Sequence, residues 1–260
     1  MSKRSFPTLL LTLLAVAPVW AQTTIDQAKA LAGGITAGDA PGFPVTLSAT
    51  GSYKLTSNLV VPGNTNGIVI TAPNVTLDLN GYSVSGPVNC VLSGGQLVCA
   101  GPIAGGFRGI STTANVEGTT IRNGHVRGFA ESGINITAGI VEDVQAESNH
   151  GFGIVAGGTE PHLSARISGV RVRTNHSAGI LSRHGLIERA IASNNGTGIA
   201  ACRVSVIDSV VDSNLSTGLE ALAGCPPPAL KGTVLQDNGG SSISGAARSL
   251  GGNLVDGVAF

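Results

Sequence analysis

The sequence predicts an all-β fold in which one small unit recurs and stacks into a single-domain, three-sided coil. Three observations carry this: an Asn that returns at near-regular spacing, a Gly-aliphatic pair that follows it, and a composition rich in turn formers and β-branched residues. Asn149, Asn175, Asn194, Asn214 and Asn238 each precede an aliphatic by five residues, namely Ile154, Ile180, Ile199, Leu219 and Ile243. Gly stands before four of the five, at Gly153, Gly179, Gly198 and Gly218. The Asn-to-Asn spacings are 26, 19, 20 and 24 residues, one unit with insertions. Units of that size cannot bury a core alone and must stack.

Along the chain, Lys3 and Arg4 precede an apolar stretch from Leu9 to Ala17 and then Val19-Trp20-Ala21. Charged, apolar and small-residue segments in that order predict a secretory signal peptide over residues 1–21, and with it a secreted or periplasmic protein. The apolar stretch is too short to span a bilayer, and the sequence offers no other transmembrane segment. Residues 22–44 form the expected N-terminal cap. Thr24 can N-cap a helix from Ile25 to Ala32 that Gly33-Gly34 ends, with Ile25, Ala28, Leu31 and Ala32 on one face. So short a helix is unstable alone, so it is expected to plug an exposed strand edge. Residues 45–248 are the coil, and the irregular tail, 249–260, closes the far end.

Within the unit, three aliphatic columns emerge. Three residues before the Asn come Ala146, Val172, Ile191, Val211 and Leu235; eight before come Val141, Ile167, Leu186, Val206 and Leu230. The third column is the set of aliphatics five residues after it. Ile121, Val126 and Ile134 fit the same frame, with Phe129 in the Asn position. A helical repeat would need longer runs at helical spacing, whereas Gly, Ser, Asn and β-branched residues favour turns and strands. Three short strands per unit follow. The Asn column is expected to form an internal ladder of amide hydrogen bonds, and the length variation to fall in one corner.

The Asn-x-x-x-Gly-Ile units, with Gly51-Ser-Tyr-Lys-Leu-Thr-Ser-Asn-Leu59 and Asn74-Val-Thr-Leu-Asp-Leu-Asn-Gly81, resemble the right-handed parallel β-helix proteins of the pectate-lyase-like superfamily. The resemblance covers residues 45–250 and is specific for fold. It implies calcium-assisted β-elimination in lyases, or grouped Asp residues in hydrolases. Neither cluster can be matched residue by residue here, which leans against catalysis and leaves calcium without support.

Charge and cysteine content narrow the partners. The chain has 15 basic and 15 acidic residues, so loss of Lys3 and Arg4 with the leader leaves a net charge of −2. That balance gives no general attraction to nucleic acid. Four Cys in the exported part fit an oxidising compartment. Cys90 and Cys99 bracket a Gly-rich insertion, while Cys202 and Cys225 follow equivalent strands of consecutive units, so two disulfides are expected in preference to a metal site. Trp20 leaves with the leader, and few aromatics remain to offer a platform for neutral glycans.

Two constellations could carry chemistry. Glu188 and Asp208 share a column, six residues before the Asn, and on adjacent coils would lie about 4.8 Å apart. They are the only candidate catalytic pair, and Arg189 could instead neutralise them. The second is a polar strand face of His125, Arg127, Gln145, Glu147, Arg171 and Arg173, either a solvated salt-bridge ladder or a site for an acidic polysaccharide. His150 and His176 share a column without a third ligand, so no metal site is expected. The resulting expectation is a structural or surface-interaction module that binds acidic glycans or a surface protein. The alternative is a polysaccharide lyase or glycoside hydrolase, its groove walled by insertions around Ser111–Thr120, Val155–Arg166 and Glu220–Ala229.

Overall fold

The computed structural model describes residues 22–260, residue 161 excepted; the expected signal peptide lies outside the described residues. β-branched and turn-forming residues alternate along the chain, and the result is a β-solenoid of three strand columns with, among the described residues, a single short helix. The first column includes Gly51–Leu55, Val75–Asp78, Ala165–Ser168, Gly185–Glu188 and Val204–Ile207. The second includes Ser83–Ser85, Arg171–Arg173, Ile191–Ser193 and Val210–Asp212. Nine parallel strands make the third, from Val45–Leu47 to Ile243–Ser244. Thr119–Arg127 and Gly139–Glu147 each span the first two columns and join them into one sheet.

Between first and second columns the chain turns through one residue in the left-handed region: Asn123, Asp143, Gly169, Arg189, Asp208 and Gly232. Gly, Asn and Asp tolerate that conformation best. The turn aims side chains of both columns inward, and burial of their apolar rows drives the stacking. The rows Ile121-Val141-Ile167-Ile187-Val206-Leu230, Val126-Ala146-Val172-Ala192-Val211-Leu235 and Ile134-Ile154-Ile180-Ile199-Leu219 are all buried.

One unit departs from the sequence frame by a single residue. The buried ladder Asn is Asn195, not Asn194, whose backbone is left-handed with φ 55°. Ala192 and Ile187 therefore replace Ile191 and Leu186 in the core rows. The cause is a shorter turn: Gly196 donates to Asn175 O as His176 donates to Asn149 O, but Thr197 already aligns with Ala178. Holding the Asn-to-aliphatic interval at five pushed the frame onto the wrong member of the Asn194-Asn195 doublet. A one-residue slip turns every strand side chain to the opposite face.

With that correction the ladder is continuous. Asn149, Asn175, Asn195 and Asn214 each donate through Nδ2 to Oδ1 of the next Asn at 2.9, 2.9, 3.1 and 2.9 Å, ending at Asn238. Each Oδ1 also accepts a backbone N–H from the coil before, beginning with Phe129 N to Asn149 Oδ1 at 3.0 Å. The Gly of the repeat follows from this. A Cβ on Gly179 would lie 2.8 Å from both Asn195 Nδ2 and Gly198 O, and one on Gly198 would lie 2.7 Å from Asn214 Nδ2. The ladder amide of the next coil occupies the space that any larger residue would need.

Three insertions lie between third and first columns, at 113–118, 157–164 and 222–228. One insertion does not: an antiparallel hairpin, Asn89–Ser93 with Gln96–Ala100, leaves the chain between second and third columns and is closed by Cys90–Cys99. Variation is thus not confined to one corner. The second disulfide joins Cys202 to Cys225.

Both ends are closed, each differently from expectation. Thr23–Ile25 pairs as a strand with Gly51–Leu55, because the sheet buries Ile25 completely. The helix is therefore only Gln27–Ala32, capped by Asp26, which accepts from Lys29 N at 2.8 Å, rather than by Thr24. Ala30, not Leu31, faces the core. Side chains seal the open edge: Gln27 bonds both backbone groups of Val60, and Asp39 accepts from Thr46 N at 2.7 Å. At the other end, Arg248–Ser249 and Leu254–Val255 continue the parallel stacking, and only Val258–Ala259 turns back antiparallel.

Candidate functional site

The register brings the six polar residues of the sequence-derived face together. Ser83, His125, Gln145 and Arg171 align across successive coils, as do Ser85, Arg127, Glu147 and Arg173. Alternate residues of a strand point to opposite sides, so with Val126, Ala146 and Val172 buried, these two rows face outward. Arg173 Nε meets Glu147 Oε2 at 2.7 Å. Arg127 Nε lies 3.4 Å from Ser85 Oγ, and Arg171 is exposed. Among the described residues, neither Arg127 nor Arg171 has a carboxylate within ion-pair distance. Rungs stand about 4.8 Å apart, so Arg127 and Arg171 are two rungs apart along the coil axis, with Glu147 on the rung between, neutralised by Arg173 from Arg171's own strand. Beyond Arg171 the inner row turns apolar, with Ile191, Val210, Val234 and Leu254 in register.

The wall beside this face is the disulfide-closed hairpin, which the sequence did not assign to it. Ser148, next after Glu147, donates through Oγ to Cys90 O at 3.0 Å and so fastens the hairpin to the coil. An open groove of about 240 Å³ runs between them, lined by Ser85, Pro87, Val88, Asn89, Arg127 and Ser148. The hairpin carries exposed Val91, Leu92 and Val98. No charged residue occurs from Gly86 to Phe107. The groove is mostly polar: Arg127, Ser85, Asn89 and Ser148 offer an anionic chain a guanidinium and hydrogen-bonding groups, and Pro87 and Val88 supply its apolar contact. The expected corner insertions border the first column instead, so they do not wall this face.

The Glu188–Asp208 pair does not form. Glu188 aligns with Ile207, and Asp208 falls in the left-handed turn column one step on, where Arg189 precedes it. This is the same one-residue slip. Glu188 accepts from Arg166 Nη2, and Arg189 Nη1 lies 3.6 Å away. The hydrogen bond from Arg166 holds the Glu188 carboxyl below the usual glutamate range, Ser168 and the charges of Arg166 and Arg189 add to that, and burial opposes it. Asp208 Oδ1 instead packs over Gly232, 2.3 Å from where a Cβ would stand. His150 and His176 stack with ring centroids 5.0 Å apart, and Gly196 follows them in the column. Among the described residues no three His, Cys, Asp or Glu side chains converge on a metal-sized site.

No protein-family model matches the sequence, and no curated protein matches it. Solved structures do match its fold. A pectate lyase, Pel9A, superposes with a TM-score of 0.56 at 13% identity, covering 81% of this chain and 65% of its own. The enzymatically active domain of a bacteriophage CBA120 tailspike protein gives 0.50 at 14% identity over 79% of this chain and 40% of its own. The A-module of an Azotobacter vinelandii mannuronan C-5 epimerase gives 0.49 at 13% identity, covering 75% and 65%. The chain thus spans less than two thirds of each of these structures. What it shares with Pel9A is architecture: the chain has a right-handed parallel β-helix fold.

Proposed function

We propose that this chain is an exported β-helix that binds an acidic polysaccharide along the second-column face, between the coil and the Cys90–Cys99 hairpin. The observation that carries this is the charge balance of the face: three arginines stand in register around one carboxylate, and Glu147 is already taken by Arg173. Arg127 and Arg171 remain to pair with anionic groups, and guanidinium matches a carboxylate's two oxygens. The proteins that share the fold include a pectate lyase, which supports the substrate class by analogy of architecture alone.

Isothermal titration with a uronate oligomer at low salt tests this, comparing wild type with Arg127→Ala/Arg171→Ala. Exposed charge pairs contribute about 0.2–1 kcal/mol each, so the double variant should bind roughly two- to thirtyfold more weakly. Wild-type affinity should fall as salt screens the charges. Identical isotherms, or binding insensitive to salt, would leave the face as a solvated salt-bridge ladder. The competing function, a polysaccharide lyase or glycoside hydrolase, draws on the pectate lyase likeness. Release of unsaturated uronates or new reducing ends from an acidic polysaccharide would establish it.

A further inference from the structure

The C-terminal third carries a second groove, on different rungs and against a different column. It has a volume of about 310 Å³ and is lined by Arg203, Val204, Ser205, Pro226, Pro227, Ala229 and Arg248. No acidic side chain lines it, and among the described residues neither arginine has an ion-pair partner. The groove is fixed by backbone as well as side chain. Arg203 N–H donates to Pro226 O at 3.1 Å, and Arg248 N–H donates to Pro228 O at 2.9 Å, so one proline-rich segment holds both arginines. Cys202, directly before Arg203, is joined to Cys225, directly before Pro226. The disulfide thus ties the two walls together at their roots.

Arg203 also adopts a backbone conformation that its residue type disfavours. Its φ is 50°, in the region where Asn, Asp and Gly are the usual occupants. A long cationic side chain at such a position directs its charge differently from an ordinary strand residue, and here it lines the same groove as Arg248. Two like charges placed in one concavity without a carboxylate attract an anion. The proline rings on the wall add flat apolar surface. The volume admits a single sugar ring.

From these observations we infer that the Arg203–Arg248 groove is an anion site for one acidic saccharide unit. The guanidinium groups take its carboxylate or sulfate, the Ser205 hydroxyl supplies a further polar contact, and Pro226 and Pro227 pack against the ring. This site does not depend on the second-column face and stands whether or not that face binds glycan.

The test uses the full oxidised chain and follows arginine side-chain signals, and for every variant the backbone amide signals of Ser205 and Ala229 that line the same groove, by NMR during titration with glucuronate, glucose 6-sulfate and glucose. The expected result is saturable shifts of Arg203 and Arg248 with one or both acids and none with glucose. Which acid binds distinguishes a carboxylate source from a sulfate source. Arg203→Asn/Arg248→Gln should weaken binding at least tenfold, because Asn keeps the left-handed turn while the charge is lost. Arg127→Ala/Arg171→Ala should leave these shifts unchanged, which separates this site from the other. The inference is overturned if neither acid shifts these signals or glucose shifts them equally. It is equally overturned if a folded Arg203→Asn/Arg248→Gln protein binds like wild type, or if Arg127→Ala/Arg171→Ala abolishes the effect. Circular dichroism melts of both variants confirm that folded protein is compared; should Arg203→Asn/Arg248→Gln not fold, Arg248→Gln alone serves and should weaken binding measurably.

Discussion

Replacing Asn195 by Ala should be among the most damaging single changes in the coil, while the same change at its neighbour Asn194 should be mild. Asn195 Oδ1 accepts from Asn175 N at 3.1 Å and from Asn175 Nδ2 at 2.9 Å. Its Nδ2 donates to Val172 O at 3.1 Å, to Ser193 O at 3.1 Å and to Asn214 Oδ1 at 3.1 Å. Alanine there strands the buried Asn175 N–H and the Val172 carbonyl. Each unsatisfied buried group costs about 1–3 kcal/mol, so the loss of two should be about 2–6 kcal/mol. In a chain of this size that lowers the melting temperature by roughly 4–24 °C. Asn194→Ala loses only a residue suited to its left-handed backbone, φ 55°, at about 1 kcal/mol. Thermal melts and urea titrations of both variants decide the matter. Equal losses, or a larger loss at Asn194, would refute the register of the coil.

Four further outcomes are expected. Gly179→Ala forces a methyl to within 2.8 Å of Asn195 Nδ2 and Gly198 O and should destabilise by about 1–3 kcal/mol, measured by urea denaturation; an unchanged midpoint would contradict the coupling of Gly and Asn columns. Cys202→Ser/Cys225→Ser should lose about 3 kcal/mol, and non-reducing peptide mapping of the parent should recover Cys202–Cys225 and Cys90–Cys99 as linked peptides. Ile180→Asp places a carboxylate in a fully buried row and should abolish the cooperative β-sheet melt; a soluble variant melting near the parent would argue against that row being core. Glu188 has its folded pKa held below the ordinary 4.5, so its contribution is complete above that pH and is lost as pH falls through the lower folded value. Glu188→Gln should therefore flatten the acid limb of a stability–pH profile, and an unaltered limb would show that the Arg166 pairing adds nothing.

How much of this was legible in the sequence depends on which residues are read. Buried columns were, because stacking forces the same residue type into the same place in every coil: Asn149, Asn175, Asn214, Asn238 and their glycines announced the repeat. The slip at Asn194 arose where the sequence is degenerate. The Asn194-Asn195 doublet, and aliphatic neighbours at Leu186-Ile187 and Ile191-Ala192, let two frames fit equally well. Gly185 could have resolved them, since it occupies the same position as Gly139, and both have large positive φ, 125° and 135°. The six-residue polar face escaped the slip because it lies upstream of the shortened turn. Its wall was not legible: periodicity assigns no place to an insertion, and only the Ser148–Cys90 contact shows which column the hairpin accompanies. The same holds for the Arg203–Arg248 groove, which depends on a proline segment from the next coil. The N-terminal cap was misplaced for a different reason. Ile25 satisfies both a helix face and a strand, and burial against the sheet decided between them.

The claim that matters most is the location of the glycan face, and backbone amide NMR mapping with a uronate oligomer tests it most directly. On this account, shifts should form one contiguous patch running from Ser85 and Arg127 through Glu147 to Arg171 and Arg173, extending onto the Asn89–Ala100 hairpin. Shifts confined to the first column around Arg166, Glu188 and Asp208, or no shifts at any oligomer concentration, would contradict it.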